Sequence, residues 1–161
     1  MKQTSAILPL AFILLAAAGC GDKKMMPFLG QWNGDFVVSK VNRGPDADID
    51  RKHHSLHGYV SLRLDKKSYL LHLEGEQQQV DVKGNWAYHG NQAVLSPSDV
   101  KVNNDNGAGQ YNPNRKYVPD EDLYSAYNKK LILTLSQDGK TLQSPSMSIA
   151  FLEGEHIFTK D

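Results

Sequence analysis

From residue 28 onward, apolar and polar side chains alternate in run after run, and Gly-containing turn signals separate the runs. This is the signature of half-buried β-strands. In the first run Trp32, Phe36 and Val38 share one face, with Asn33, Asp35 and Val37 on the other. Residues 55–64 set Leu56, Gly58, Val60, Leu62 and Leu64 against His57, Tyr59, Ser61 and Arg63. Asp65-Lys66 then turns the chain, and Tyr69, Leu71 and Leu73 alternate up to a corner at Glu74-Gly75. The longest strict alternation, over residues 78–88, opposes Val80, Val82, Gly84, Trp86 and Tyr88 to Gln79, Asp81, Lys83, Asn85 and Ala87. A period of two puts each set on one side of a sheet, so the apolar set faces the core.

His89-Gly90-Asn91 closes a hairpin onto residues 93–95, and residues 100–102 form a further short strand after Pro97. Residues 103–119 are rich in Asn, Gly and Pro and read as a long loop. Pro119 followed by Asp120, Glu121 and Asp122, ahead of Leu123, Tyr124 and Tyr127, predicts one short helix near 119–127. Proline is tolerated in a first turn, and acids favour the positive end of a helix. Residues 131–135, a turn at Asp138-Gly139, residues 141–143 and 147–151, a turn at Glu153-Gly154 and residues 156–159 complete the pattern. The expected fold is all-β, an antiparallel meander of about eight to ten strands forming a small barrel or sandwich.

The first nineteen residues are of another kind. Lys2 is followed by an apolar run at 6–18, broken only by Pro9, and then by Gly19 and Cys20. A membrane-spanning helix needs about 20 apolar residues, whereas 7 to 15 is the range of a signal-peptide core. Leu15-Ala16-Ala17-Ala18-Gly19-Cys20 resembles the lipobox of bacterial lipoproteins, with Ala17 where Leu is commonest. The resemblance implies cleavage before Cys20, a diacylglyceryl thioether on its sulfur and acylation of the new amino group, which is enough acyl chain for stable anchoring. The expected organisation is therefore a lipoprotein signal peptide at 1–19, a lipidated tether at 20–27 and one domain at 28–161. The resemblance further implies a cell-envelope location, at the outer membrane where the organism has one, because Gly21 follows the cysteine and Asp22 comes one place later.

Charge narrows the partners. Of 18 basic residues only Lys2 leaves with the leader, so 17 basic face 18 acidic residues and the mature chain has a formal charge of −1. No field of one sign is present to steer nucleic acid, and the aromatic residues are not interleaved with Lys and Arg in one patch. Cys20 is the single cysteine, which excludes an internal disulfide and a Cys-based zinc site.

Two Gly-x-Trp segments stand out, Gly30-Gln31-Trp32 and Gly84-Asn85-Trp86. Glycine permits a bulge or close backbone approach, and a Trp two residues on lands on the same face to fill a barrel end. Phe28-Leu29-Gly30-Gln31-Trp32 resembles the first strand of the lipocalin-like, or calycin, group. The resemblance implies that this Trp closes one end of an antiparallel barrel. The family packs a late arginine across it, and the last strand here offers Lys160.

Candidate chemistry is sparse. Asp46, Asp48 and Asp50, followed by His53, His54 and His57, are the one cluster of metal-capable side chains close in sequence. Arg51 stands where a calcium loop needs Gly, and His57 where it needs a bidentate Glu. His53 and His57 would converge on zinc only from a helix, against the strand pattern there. The cluster is read as a solvated loop, with no metal or cofactor expected. No nucleophile elbow, zinc-protease helix or phosphate-binding glycine loop is present, so an enzyme is not expected.

Two functions fit. One is a non-catalytic envelope lipoprotein that presents its domain to a protein or cell-wall partner through the loops at 46–57 and 103–127. The other is a carrier or sensor of a small apolar ligand inside the barrel. Trp32, Phe36, Val80, Val82, Trp86, Tyr88, Leu131 and Leu133 are the residues expected either to bind that ligand or to fill the core, and a void lined by Val80, Val82, Trp86, Leu131 and Leu133 would favour the carrier.

Overall fold

The computed structural model describes residues 20–42, 59–74, 78–104, 120–149 and 152–161. The leader, the Asp/His loop, most of the Asn/Gly/Pro-rich loop and residues 150–151 lie outside the described residues. A short helix α1 (Cys20–Met25) precedes β1 (Gly30–Val41), β2 (Tyr59–Leu64), β3 (Ser68–Glu74), β4 (Gln78–His89) and β5 (Gln92–Asn104). Helix α2 (Asp120–Tyr127) is followed by β6 (Leu131–Leu135), β7 (Thr141–Gln143), β8 (Met147–Ile149) and β9 (Leu152–Lys160).

Strands β1 to β7 pair antiparallel in chain order, β7 pairs β9, and β9 returns to β1. Eight strands thus close an antiparallel barrel, and β8 is one extra strand along the edge of β9 beyond β7. The break between β7 and β8 falls at Ser144-Pro145, where proline has no N–H to give a ladder. The Ser144 hydroxyl oxygen instead accepts the main-chain N–H of His156, at 2.8 Å.

The alternation becomes the barrel interior. Val60, Leu62 and Leu64 on β2, Tyr69, Leu71 and Leu73 on β3, and Val80, Val82 and Trp86 on β4 are all buried. Eight strands leave an interior that side chains can fill, and Trp32, Phe158, Leu142 and Leu133 fill much of it here.

One end is plugged by aromatic residues. The chain turns at 26–29 with the Phe28 N–H donating to the Met25 carbonyl, which carries Phe28 into the interior beside Trp86, with ring centroids 5.8 Å apart. Gly30 opens β1 at a φ of 119°, a conformation side chains with a Cβ rarely adopt, and so delivers Trp32 inward. The Trp32 indole N–H donates to the Phe28 carbonyl at 2.8 Å. Lys160 from the final strand lies over the Trp32 ring, 5.1 Å from its centroid, and its Nζ donates to the Pro27 carbonyl at 2.7 Å. The lysine thus takes the place at which the calycin resemblance puts an arginine, and the barrel is of a kind compatible with that group.

Two expectations are corrected. Residues 93–95 and 100–102 belong to a single strand, β5, of 13 residues. Its register against β4 shifts between Lys83 and Gly84, so that Ser98 is the unpaired extra residue beside Pro97. A bulge past the last β6 partner accommodates proline. Glu153-Gly154 is not a turn but lies within β9, paired to β1 and β8. Gly154 faces inward, where a Cβ would meet the Phe36 ring within 2.8 Å. Residues 20–25 form α1.

Candidate functional site

The barrel wall is uneven. β5 pairs with β6 only from Gln92 to Leu95, and β6 with β7 only at Thr134 and Leu135. The far half of β5 therefore has no β6 neighbour, and α2 packs into that gap against β5 and β8. The helix fits because Leu123 and Tyr127, four residues apart and hence on one face, are both buried while Tyr124 between them is exposed.

Beneath α2 lies a cavity of about 230 Å³. Its apolar surface comes from Leu71, Val82, Leu95, Ala126, Leu131 and Met147. Tyr69, Tyr127, Ser148, Lys129 and Lys130 supply its polar residues, and no carboxylate lines it among the described residues. Lys129 and Lys130 are exposed and form no ion pair among the described residues. Tyr69 is 95 % buried, at 5 % relative exposure, and burial pushes its phenol up to about 12. It is a neutral donor at physiological pH.

Behind α2 sits a buried polar pair. The Tyr127 hydroxyl and His156 Nε2 are 2.9 Å apart, and burial raises the Tyr127 phenol far above its ordinary value. His156 is fully buried, packed edge-on to Phe36 at 5.2 Å and stacked on Phe158 at 5.4 Å. Its Nδ1 has no hydrogen-bond partner of normal geometry. Burial pulls its pKa down to about 4, opposed only in part by the main chain of Asp35. His156 is thus a neutral core residue at pH 7.

Val82 and Leu131, two of the residues expected around a void, line the cavity. Val80, Trp86 and Leu133 do not line it; they are packed in the core, and the Trp86 indole donates to the Asp65 carbonyl at 2.6 Å. Trp32 and Phe36 are likewise buried, and Tyr88 is half-buried with its ring 6.4 Å from that of Phe28. Sequence reasoning missed Tyr69, Lys129, Lys130, Met147 and Ser148. The outward break in alternation at Lys129-Lys130, just before an apolar strand, was the one local signal available. The metal-capable residues Asp46, Asp48, Asp50, His53, His54 and His57 lie outside the described residues. Among the described residues no group of three or more His, Cys, Asp or Glu side chains is placed to hold a metal ion. No protein-family model matches this chain, and no curated protein matches it in sequence.

Proposed function

We propose that the chain is a lipid-anchored, non-catalytic binding barrel whose ligand is a small, mainly apolar molecule held beneath α2. The cavity carries this reading. An engineered cavity of about 150 Å³ stays dry and takes benzene, so on that scale the void of about 230 Å³ suits a ligand of roughly nine non-hydrogen atoms. That is below the roughly 300 Å³ at which drug-sized sites begin. The loops that would serve a protein or cell-wall partner lie largely outside the described residues, and no observation favours that reading over the cavity.

Anchorage through Cys20 fits the placement of α1. Six helical residues span only about 9 Å at roughly 1.5 Å each, and Phe28 is fixed in the aromatic plug shortly after. A lipid on Cys20 would hold the plugged end near the membrane. β6 starts at Leu131, away from that end, and runs toward it. The Lys129-Lys130 rim would therefore stand away from the membrane.

Ala126→Phe tests the cavity reading, because the ring would occupy the void from the inner side of α2 while touching no strand hydrogen bond. Titration calorimetry with octan-1-ol is expected to show binding to the parent and none to the variant, with unchanged circular dichroism. Equal binding by both would place the ligand elsewhere.

A further inference from the structure

The polar groups around the cavity are not a random sample of the surface. Lys129 and Lys130, exposed, stand among its lining residues with Tyr69, Tyr127 and Ser148, and no acidic side chain contributes among the described residues. Tyr69 is the informative member. It is 5 % exposed, and it lines the cavity. A hydroxyl in a cavity wall is a donor that an acceptor on a ligand can take over from water. The two lysine ammonium groups only donate, and the Tyr69 and Ser148 hydroxyls can donate, which together suit a ligand that accepts, and the remaining lining is apolar.

We infer, resting on the cavity reading above, that the ligand is a small anionic amphiphile, with a hydrocarbon body against Leu71, Val82 and Leu95 and a carboxylate-like head met by Lys129, Lys130 and Tyr69. The division of labour follows from the chemistry of each group. Lys129 and Lys130, solvated at the rim, attract the anion over a range that salt shortens to about 8 Å at physiological ionic strength. The Tyr69 hydroxyl, held neutral, donates a directed hydrogen bond from inside. A cationic head would face two like charges and find no carboxylate among the described residues. A neutral head would gain only the tyrosine.

The experiment compares three eight-carbon probes, octanoate, octan-1-ol and octylamine, by titration calorimetry at pH 7 on the mature domain and on a Lys129→Gln/Lys130→Gln variant. Both lysines are exposed, so the variant keeps the core. Octanoate is expected to bind the parent about tenfold more tightly than octylamine, as one charge-assisted hydrogen bond supplies. The double variant is expected to bring octanoate down to octan-1-ol while leaving octan-1-ol unchanged, and Tyr69→Phe to weaken both, octanoate the more. Octylamine binding as tightly as octanoate, or a double variant that leaves octanoate affinity intact, would overturn the anionic assignment. In both cases the cavity reading survives if octan-1-ol binds. Binding of none of the three probes would overturn both.

Discussion

His156 Nε2 lies 2.9 Å from the Tyr127 hydroxyl and ties the end of α2 to the inner face of β9. The helix that roofs the cavity is therefore held by a hydrogen bond whose imidazole partner is fully buried and neutral. Burial makes the protonated imidazole costly in the folded state, which gives the bond a pH signature.

His156 has a folded pKa of about 4 against an ordinary 6.5. Between those values the unfolded chain binds the proton and the folded chain does not. Stability is thus fully present above pH 6.5, falls as the pH is lowered, and has lost this contribution by about pH 4. The separation corresponds to about 3 kcal/mol. Urea midpoints measured from pH 7 to pH 4 should fall, and His156→Leu should flatten the slope in the upper part of that window, where carboxylates do not yet titrate. An unchanged slope would mean that another group controls acid stability.

Trp86 and Lys83 lie on opposite faces of β4. Trp86 packs on Phe28 and is 8 % exposed, so Trp86→Ala should cost about 3 to 5 kcal/mol. Lys83 is exposed, and Lys83→Ala should stay within about ±0.5 kcal/mol. Chemical denaturation of the two variants measures the contrast; equal effects would remove Trp86 from the core.

The strands were legible where one face alone meets the core. β2, β3 and β4 follow the alternation of Val60, Tyr69 and Val82 with their polar neighbours, and α2 follows its acids and its apolar pair. Features that depend on distant partners were not legible. Pro97 and Gly154 look like breaks along the chain, yet a bulge opposite Lys83 and the ring of Phe36 make each a strand residue. Lys160 and Pro27 meet across 133 residues of sequence. The cavity draws residues from β3, β4, β5, β8, α2 and the start of β6, and it exists because β6 and β7 are too short to complete the wall, a property no local pattern encodes.

Anchorage is tested by Cys20→Ser, which removes the only cysteine. Radiolabelled palmitate incorporation should vanish and the uncleaved precursor should accumulate, while the purified domain keeps its circular dichroism and melting temperature. Processing and membrane association that persist in this variant would contradict lipidation at Cys20.

The most direct measurement of the central claim is methyl nuclear magnetic resonance of the Leu/Val-labelled domain during titration with octanoate. Leu71, Val82, Leu95 and Leu131 line the cavity, whereas Leu62, Leu64 and Leu142 are packed elsewhere in the core. Saturable shifts are expected at the first four methyl-bearing residues, with little change at the other three. Shifts that are absent, or that concentrate on residues remote from α2, would contradict a ligand site beneath that helix.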